Sequence, residues 1–285
     1  MSEIIIGCMS WGKWGKQFST SEMISQIEFC LNNDLNSFDH ADLYGDYTTE
    51  SEFGNAFKNG GFKRESFKLI TKCGIQNPGK TRNNSVKYYN YSKEYIIWSA
   101  EQSLSNLQTD YLDTFLLHRP SPLMQPDEIA EAIYQLKKEG KILQFGVSNF
   151  TPSQINLIDS KIKTHVNQIE FSLTQNLAMS NGSLDQMLQQ GMQPMCWSPL
   201  GSVFREESDK SKRIKEVLKS LSIKYDVTED TILYSWILRH PAKISPVIGT
   251  TNNSRILNAK KALELELELE DWFILLEASN GHEVA

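Results

Sequence analysis

FKLITK (67–72), SKEYIIWSAEQSLSNL (92–107) and YLDTFLLH (111–118) follow one another in the chain, and their reading decides the fold. The first and third are short apolar runs fit for burial, each delivering a titratable side chain at its end, Lys72 and His118. The middle run is amphipathic and starts after Ser92, a residue type that caps helices. Strand, helix and strand in this order are the pattern of parallel strands joined by a crossover helix.

The same alternation runs outward in both directions. Strands are expected at Ile4–Met9, Asn36–His40, Phe67–Lys72, Tyr111–His118, Ile142–Val147, His165–Glu170, Met192–Trp197 and Ile244–Ile248. Helices are expected after Ser21 and Ser92 and from Thr151-Pro152, the last placing proline in a first turn. Eight such units in about 250 residues fit a closed (β/α)8 TIM barrel with eight parallel strands. An open doubly wound sheet would more often carry an early GxGxxG turn, and none is present. No linker or low-complexity tail interrupts the pattern, so residues 1–285 are expected to form one barrel domain. The run ALELELELED (262–271) alternates with period two yet is built of helix formers, and it is read as an extended stretch leading to a short helix at Asp271–Ala278.

Composition bounds the function. The chain has 285 residues, of which 40% are hydrophobic and 22% charged, a make-up that excludes disordered and collagen-like classes. Its formal net charge of −6 disfavours a phosphate backbone, so no nucleic acid partner is expected. Four cysteines stand far apart without a CxxC pair, which speaks for a reducing compartment and against a zinc site; no metal is expected. The start carries no basic and apolar leader and no later run approaches a membrane span, so the reading is cytoplasmic, with no membrane partner.

In a barrel of this kind, side chains at the C-terminal strand ends converge on one mouth. The strand ends and the loops just beyond present Asp39 and Tyr44, Lys72, His118, Ser148 and Asn149, Gln168, and Trp197 and Ser198. Each has a plain alternative: Asp39 as a turn cap, Lys72 as a surface charge, His118 as a satisfied interior histidine. Together they form a chemical unit. A carbonyl accepts hydride when its oxygen is protonated, and a phenol of pKa about 10 is a reluctant donor. Lys72 beside Tyr44 is expected to make that phenol more acidic, Asp39 to hold Lys72, and His118 to orient the carbonyl oxygen.

The motifs that carry these residues are FDHADLYG (38–45), TKCG (71–74), LLHRP (116–120), FGVSNF (145–150), NQIEFS (167–172), WSPLG (197–201) and VIGTTNNSRI (247–256). In this order they resemble the aldo-keto reductase family, and more closely its bacterial branch of short-looped oxidoreductases. The resemblance implies an NADPH-dependent carbonyl reductase with Asp39, Tyr44, Lys72 and His118 as catalytic tetrad. It also implies that Ser148, Asn149 and Gln168 bind the nicotinamide carboxamide and that Trp197 stacks on its ring. Ser198, Leu200 and Gly201 would lie over the pyrophosphate, and Gly249, Thr250 and Arg255 would meet the adenosine 2′-phosphate. Gly249 stands where many relatives carry lysine, which leaves NADH open as a second coenzyme. The partner implied is a small carbonyl compound, with Met9, Trp11, Tyr47 and Arg119 as candidate pocket residues; the sequence does not set the oligomeric state, and a monomer is compatible with it.

Other classes of function fit parts of the pattern. An inward lysine can run Schiff-base aldolase or lyase chemistry, with Lys72 as nucleophile. A nucleotide-binding barrel that reports redox state to a partner would need the same cofactor residues without turnover. A metal-dependent hydrolase built on Asp39, His40, Asp42 and His118 has thin support, since the chain has only five histidines and no HxH pair and strand alternation turns Asp39 and His40 to opposite sides.

Overall fold

Residues Lys68–Cys73 form a strand buried from its second position onward, as apolar and β-branched side chains do where both sheet faces are covered. In the computed structural model, which describes residues 3–79 and 81–285, it is the third of eight barrel strands. These are β1 (Ile5–Gly7), β2 (Ser37–Asp39), β3 (Lys68–Cys73), β4 (Leu112–Leu117), β5 (Ile142–Ser148), β6 (Val166–Glu170), β7 (Gln193–Trp197) and β8 (Ser245–Ile248). They close into a parallel barrel in sequence order, β8 neighbouring β1, so the expected fold class is the observed one. All eight expected strands are present, with bounds shifted by two residues at most. Met1 and Ser2, where the leader reading starts, lie outside the described residues.

Packing gathers the described chain into two compact units, Ile5–Gln168 on the one hand and Ile169–Ala285 with the described residues ahead of Ile5 on the other. The boundary falls inside β6, where the alternation of elements gives no sign of it.

The first unit carries helices α1 (Thr20–Asn32), α2 (Thr49–Asn59), α3 (Lys93–Leu107), α4 (Pro126–Lys138) and α5 (Pro152–Asp159). Helix α4 shows why such segments fold as they do. Proline stands in its first turn with Asp127 and Glu128, Lys137 and Lys138 close its last turn, and Ile129, Ile133 and Leu136 are buried on one face, matching both the macrodipole and the 3.6-residue period. Behind β2 and β3 lies an aromatic core in which Trp11, Phe38, Phe53 and Phe67 pack with centroids 5.3 to 6.3 Å apart. Each fully buried side chain of this size adds about 1.5–3 kcal/mol of hydrophobic stabilisation.

Register then sets the strand ends. Asp39 lies opposite Ile70, Lys72 opposite Leu116, Leu117 opposite Val147, and Ser148 opposite Gln168.

The second unit carries α6 (Ser183–Gln190), α7 (Asp209–Tyr225), α8 (Glu229–Leu238), α9 (Asn253–Lys261) and α10 (Leu269–Asn280). Two helices therefore follow β7, where simple alternation supplies one. Trp236 stacks on Trp272 with centroids 5.0 Å apart, and each indole N–H donates to the other's backbone carbonyl, at 3.2 and 2.9 Å.

Two expectations are corrected. Helix α1 is capped by Ser19 instead of Ser21, because Ser19 and Glu22 form a reciprocal capping box, and its S-x-x-E spacing starts two residues earlier. In 262–271 no strand forms: residues 265–268 are irregular and α10 starts at Leu269, two residues ahead of the expected Asp271. Leucine, glutamate and alanine favour helix, and period-two patterning without a partner strand does not make a sheet. Among the described residues no helix is long and apolar enough to cross a membrane.

Candidate active site

Within the first unit, β2 ends on Asp39 and β3 carries Lys72 next to its end. Lys72 is fully buried and Asp39 is 2% exposed. The ammonium Nζ donates to Asp39 Oδ2 at 2.7 Å, to the His40 carbonyl at 2.6 Å and to the Tyr44 hydroxyl at 3.3 Å. Its three hydrogens thus have three acceptors. The Tyr44 ring lies edge-on to the His118 ring with centroids 6.1 Å apart. All four members of the expected tetrad therefore meet in one place.

The electrostatics follow from burial and this ion pair. Burial alone would lower the Lys72 pKa, but Asp39 and then Tyr44 raise it above the ordinary lysine value. His118 is held well below the usual histidine range, first by burial and then by Lys72, Arg119 and Lys87, so its imidazole is neutral at neutral pH. For Tyr44 the outcome differs from the expectation. Burial raises the phenol, Asp39 adds to that, and the lowering by Lys72 does not compensate, so the net shift is upward. Lys72 pulls in the expected direction, but desolvation of the phenolate is the larger effect.

Beside the tetrad, β5 ends on Ser148, and Asn149 follows in a left-handed conformation with φ 62°. Asn149 Nδ2 donates to Ser148 Oγ at 2.8 Å, and Ser148 Oγ and the Asn149 N–H donate to the Gln168 carbonyl at 2.8 and 2.9 Å. Gln168 Nε2 donates to Asp39 Oδ1 at 2.9 Å. This second role of Gln168 is invisible in the sequence. Both oxygens of Asp39 are bound, one by Lys72 and one by Gln168, which also removes Asp39 from the hydrolase reading. The aldolase reading fails likewise, since a protonated amine with every hydrogen engaged has no lone pair to attack a carbonyl.

Within the second unit lies a cavity of about 780 Å³. Ser198, Leu200, Gly201, Gly249, Thr250 and Arg255 all line it, as six of the seven cofactor residues expected in this unit; Trp197 is not among its walls. Gly201 is fixed by backbone and packing together. Its φ is +54°, and a Cβ there would meet Thr174 Oγ1 at 2.0 Å and Ser172 Oγ at 2.5 Å. The glycine thus serves the protein's own turn. At Gly249 an added Cβ would meet nothing within 4 Å.

Sequence reasoning missed Arg205, Glu229, Asp230, Tyr234 and Asn258, which also line the cavity. Asn258 was within reach of it, three residues after Arg255 on the face of α9. Arg205 donates to the Gly201 carbonyl through Nη2 at 2.7 Å and Nε at 3.2 Å. Two guanidinium groups, the hydroxyls of Thr250 and Ser254, and the first turn of a nine-residue helix are the donors that an anionic nucleotide calls for.

In the first unit the pocket candidate Trp11 is fully buried in the aromatic core, because its ring has Phe18, Phe38 and Phe53 as neighbours. Trp14, three residues on and 44% exposed, packs against Tyr44 at 6.2 Å, a position that sequence reasoning also missed. Met9 is exposed, and the Tyr47 hydroxyl donates to the Ile75 carbonyl at 3.3 Å.

A sequence model described as Aldo/keto reductase family matches residues 3–279. The uncharacterized oxidoreductase YcsN of Bacillus subtilis is 40% identical over 290 residues, covering 99% of this chain and 96% of that protein. A protein named 6-dehydroglucose reductase from Agrobacterium fabrum is 36% identical over 290 residues, covering 100% and 96%. Among solved structures, an aldo/keto reductase from Klebsiella pneumoniae in complex with NADP and acetate superimposes with a TM-score of 0.79 at 22% identity, covering 95% of this chain and 89% of that one.

Proposed function

The chain belongs to the aldo/keto reductase family, and from that membership we propose that it is an NADPH-dependent reductase of small aldehydes or ketones in which Tyr44 is the general acid. The observation that carries this reading is the buried Lys72 ammonium, bonded at once to Asp39 at 2.7 Å and to the Tyr44 hydroxyl at 3.3 Å.

When bound, NADPH supplies the hydride that reduces the carbonyl carbon. The Tyr44 O–H gives its proton to the carbonyl oxygen as negative charge develops there, and the alcohol leaves. A phenol raised by burial is fully protonated at neutral pH, and the Lys72 charge beside it stabilises the phenolate left behind until solvent reprotonates it. Asp39 keeps Lys72 charged and fixed, and Gln168 fixes Asp39. His118 is neutral, and its buried Nδ1 has no hydrogen-bond partner among the described residues. Orphaned buried N–H groups are rarer than orphaned acceptors, which favours the proton on Nε2, where it is a donor for the carbonyl oxygen.

The nicotinamide end is assigned to Ser148, Asn149 and Gln168, with Trp197 against the ring. Ser198, Leu200 and Gly201 are assigned to the pyrophosphate, and Gly249, Thr250 and Arg255 to the adenosine phosphate. NADH is the second coenzyme of this reading, since Gly249 brings no cation. The name of the Agrobacterium relative makes a polyhydroxylated aldehyde the first substrate to test.

The test is coenzyme oxidation followed by absorbance, with a panel of small aldehydes, ketones and sugar aldehydes. Tyr44→Phe is expected to lower turnover by roughly 10²–10⁴-fold, the contribution of general acid catalysis, while NADPH fluorescence quenching persists. Undiminished turnover in that variant removes Tyr44 as the acid, and a wild-type protein that binds NADPH without reducing any carbonyl favours a nucleotide-sensing role.

A further inference from the structure

Directly after Tyr44 the backbone does something that L-residues avoid. Gly45, Asp46 and Tyr47 all have left-handed conformations, with φ of 64°, 62° and 69°. Glycine adopts this region freely, but consecutive non-glycine residues there are rare, because Cβ crowds the following carbonyl. Such a turn persists only where its surroundings over-determine it, and turns of this kind concentrate at functional sites.

The surroundings are specific. Asp46 Oδ2 accepts from Lys13 Nζ at 3.2 Å and from Thr81 Oγ1 at 3.0 Å. The Tyr47 hydroxyl donates to the Ile75 carbonyl at 3.3 Å and accepts from the Asn77 N–H at 3.5 Å. The Arg82 guanidinium lies over the Tyr47 ring at 4.1 Å and over the Trp98 ring at 4.7 Å, a cation between two aromatic faces. Lys13 and Asp46 are 60% and 37% exposed, so that ion pair contributes little by itself. The Arg82 stack, with one ring from the turn and one from α3, is the stronger hold.

The geometry points to a clamp: we propose that Arg82, Tyr47 and Asp46 are positioning residues that keep the Tyr44 hydroxyl within reach of Lys72. The proposal rests on the reductase reading above. The chain order supports it, because the segment that supplies Ile75, Asn77, Thr81 and Arg82 is the direct continuation of β3, the strand that carries Lys72. One excursion of the chain therefore holds both partners of the 3.3 Å contact between Lys72 Nζ and the Tyr44 hydroxyl. Thr48 Oγ1 closes the turn from the far side, donating to the Gly45 carbonyl at 3.0 Å.

The test compares Arg82→Met, which keeps the stem and loses the cation, with Arg82→Lys, which restores it. Arg82→Met is expected to lower kcat roughly tenfold to hundredfold, as displacement of a catalytic group does, with NADPH affinity and Tm near wild type. Arg82→Lys should recover most of the loss. A crystal structure of Arg82→Met should show the Tyr44 hydroxyl drawn away from Lys72. A folded Arg82→Met with wild-type kcat overturns the clamp. Should Arg82→Met fail to fold, Asp46→Ala is expected to lose activity while Asp46→Asn, which tolerates the left-handed turn and keeps an acceptor, retains it; equal kcat in the two overturns the proposal. If the wild type reduces no carbonyl, the reductase reading fails by itself. The crystal structure then decides the clamp alone, and an unmoved Tyr44 refutes it.

Discussion

Asp42 lies two residues before Tyr44 and does different work from it. It is buried, accepts from Tyr95 at 3.3 Å and Ser99 at 3.2 Å, and its pKa is pushed up to about 7 by burial and then by Glu50, against the lowering effect of Arg82. A carboxyl with an unfolded value near 4 and a raised folded value favours folding while it is protonated. Its contribution is complete below about pH 4 and is lost as pH rises through about 7. Asp42→Asn keeps an acceptor for both hydroxyls and removes the charge. It is therefore expected to be more stable than wild type at about pH 8, by roughly 2–4 kcal/mol at most, with the advantage vanishing near pH 4. Thermal melts of both proteins across that range check it, and a gap that does not change with pH would show that Asp42 ionises freely. Sequence alone offers Asp42 only as a metal ligand, because depth behind a strand is not written in a residue's type. The gathering of Asp39, Tyr44, Lys72 and His118 was legible only from the four together, since each alone has a plain use as a turn cap, a surface charge or an interior side chain. The upward shift of Tyr44 was not, because it depends on how much burial outweighs one neighbouring ammonium.

At the scale of elements, two of the three helix starts marked by a capping side chain were legible as placed, while α1 starts from Ser19 and not from the expected Ser21. Ser92 caps α3 and Thr151 with Gln154 boxes α5, at the starts that the sequence marks. Where a pattern served two elements, as in 262–271, propensity decided against the strand. The loop from Ser198 to Gly201 gives a sharper contrast, because two glycines on one cavity wall have opposite demands. Gly201 has φ +54° and no room for a methyl group, whereas Gly249 has open space beside it. Gly201→Ala is expected to destabilise the protein by about 1–3 kcal/mol and to weaken NADPH binding with it, whereas Gly249→Ala should leave Tm within a degree or two. Melting curves and fluorescence titrations of the pair test this. Equal effects would mean that the turn is more adaptable than its contacts with Thr174 and Ser172 allow.

The whole molecule was legible as a barrel because each of its eight strands is followed by helix, a rule that no local accident imitates for so long. The division into two packing units was not, for it cuts through β6 without any change in pattern. Global charge raises a question that only the cavity answers. A chain with net charge −6 repels a coenzyme bearing several phosphates, and Glu229 and Asp230 stand on the cavity wall itself. Binding must then depend on the local cations. Arg205 already donates to the Gly201 carbonyl, and Arg255, which lines the same cavity, is the group proposed above to meet a 2′-phosphate. Since charge-assisted hydrogen bonds are worth about 1.5–3 kcal/mol, Arg255→Gln is expected to weaken NADPH binding by roughly 10- to 100-fold while NADH, which lacks that phosphate, loses little. A ligand that binds only the folded chain raises its stability by RT ln(1 + [L]/Kd). The Tm increment given by NADPH should therefore shrink in the variant, while that given by NADH is preserved. If both coenzymes lose affinity equally, Arg255 shapes the cavity as a whole and the preference for NADPH has another source.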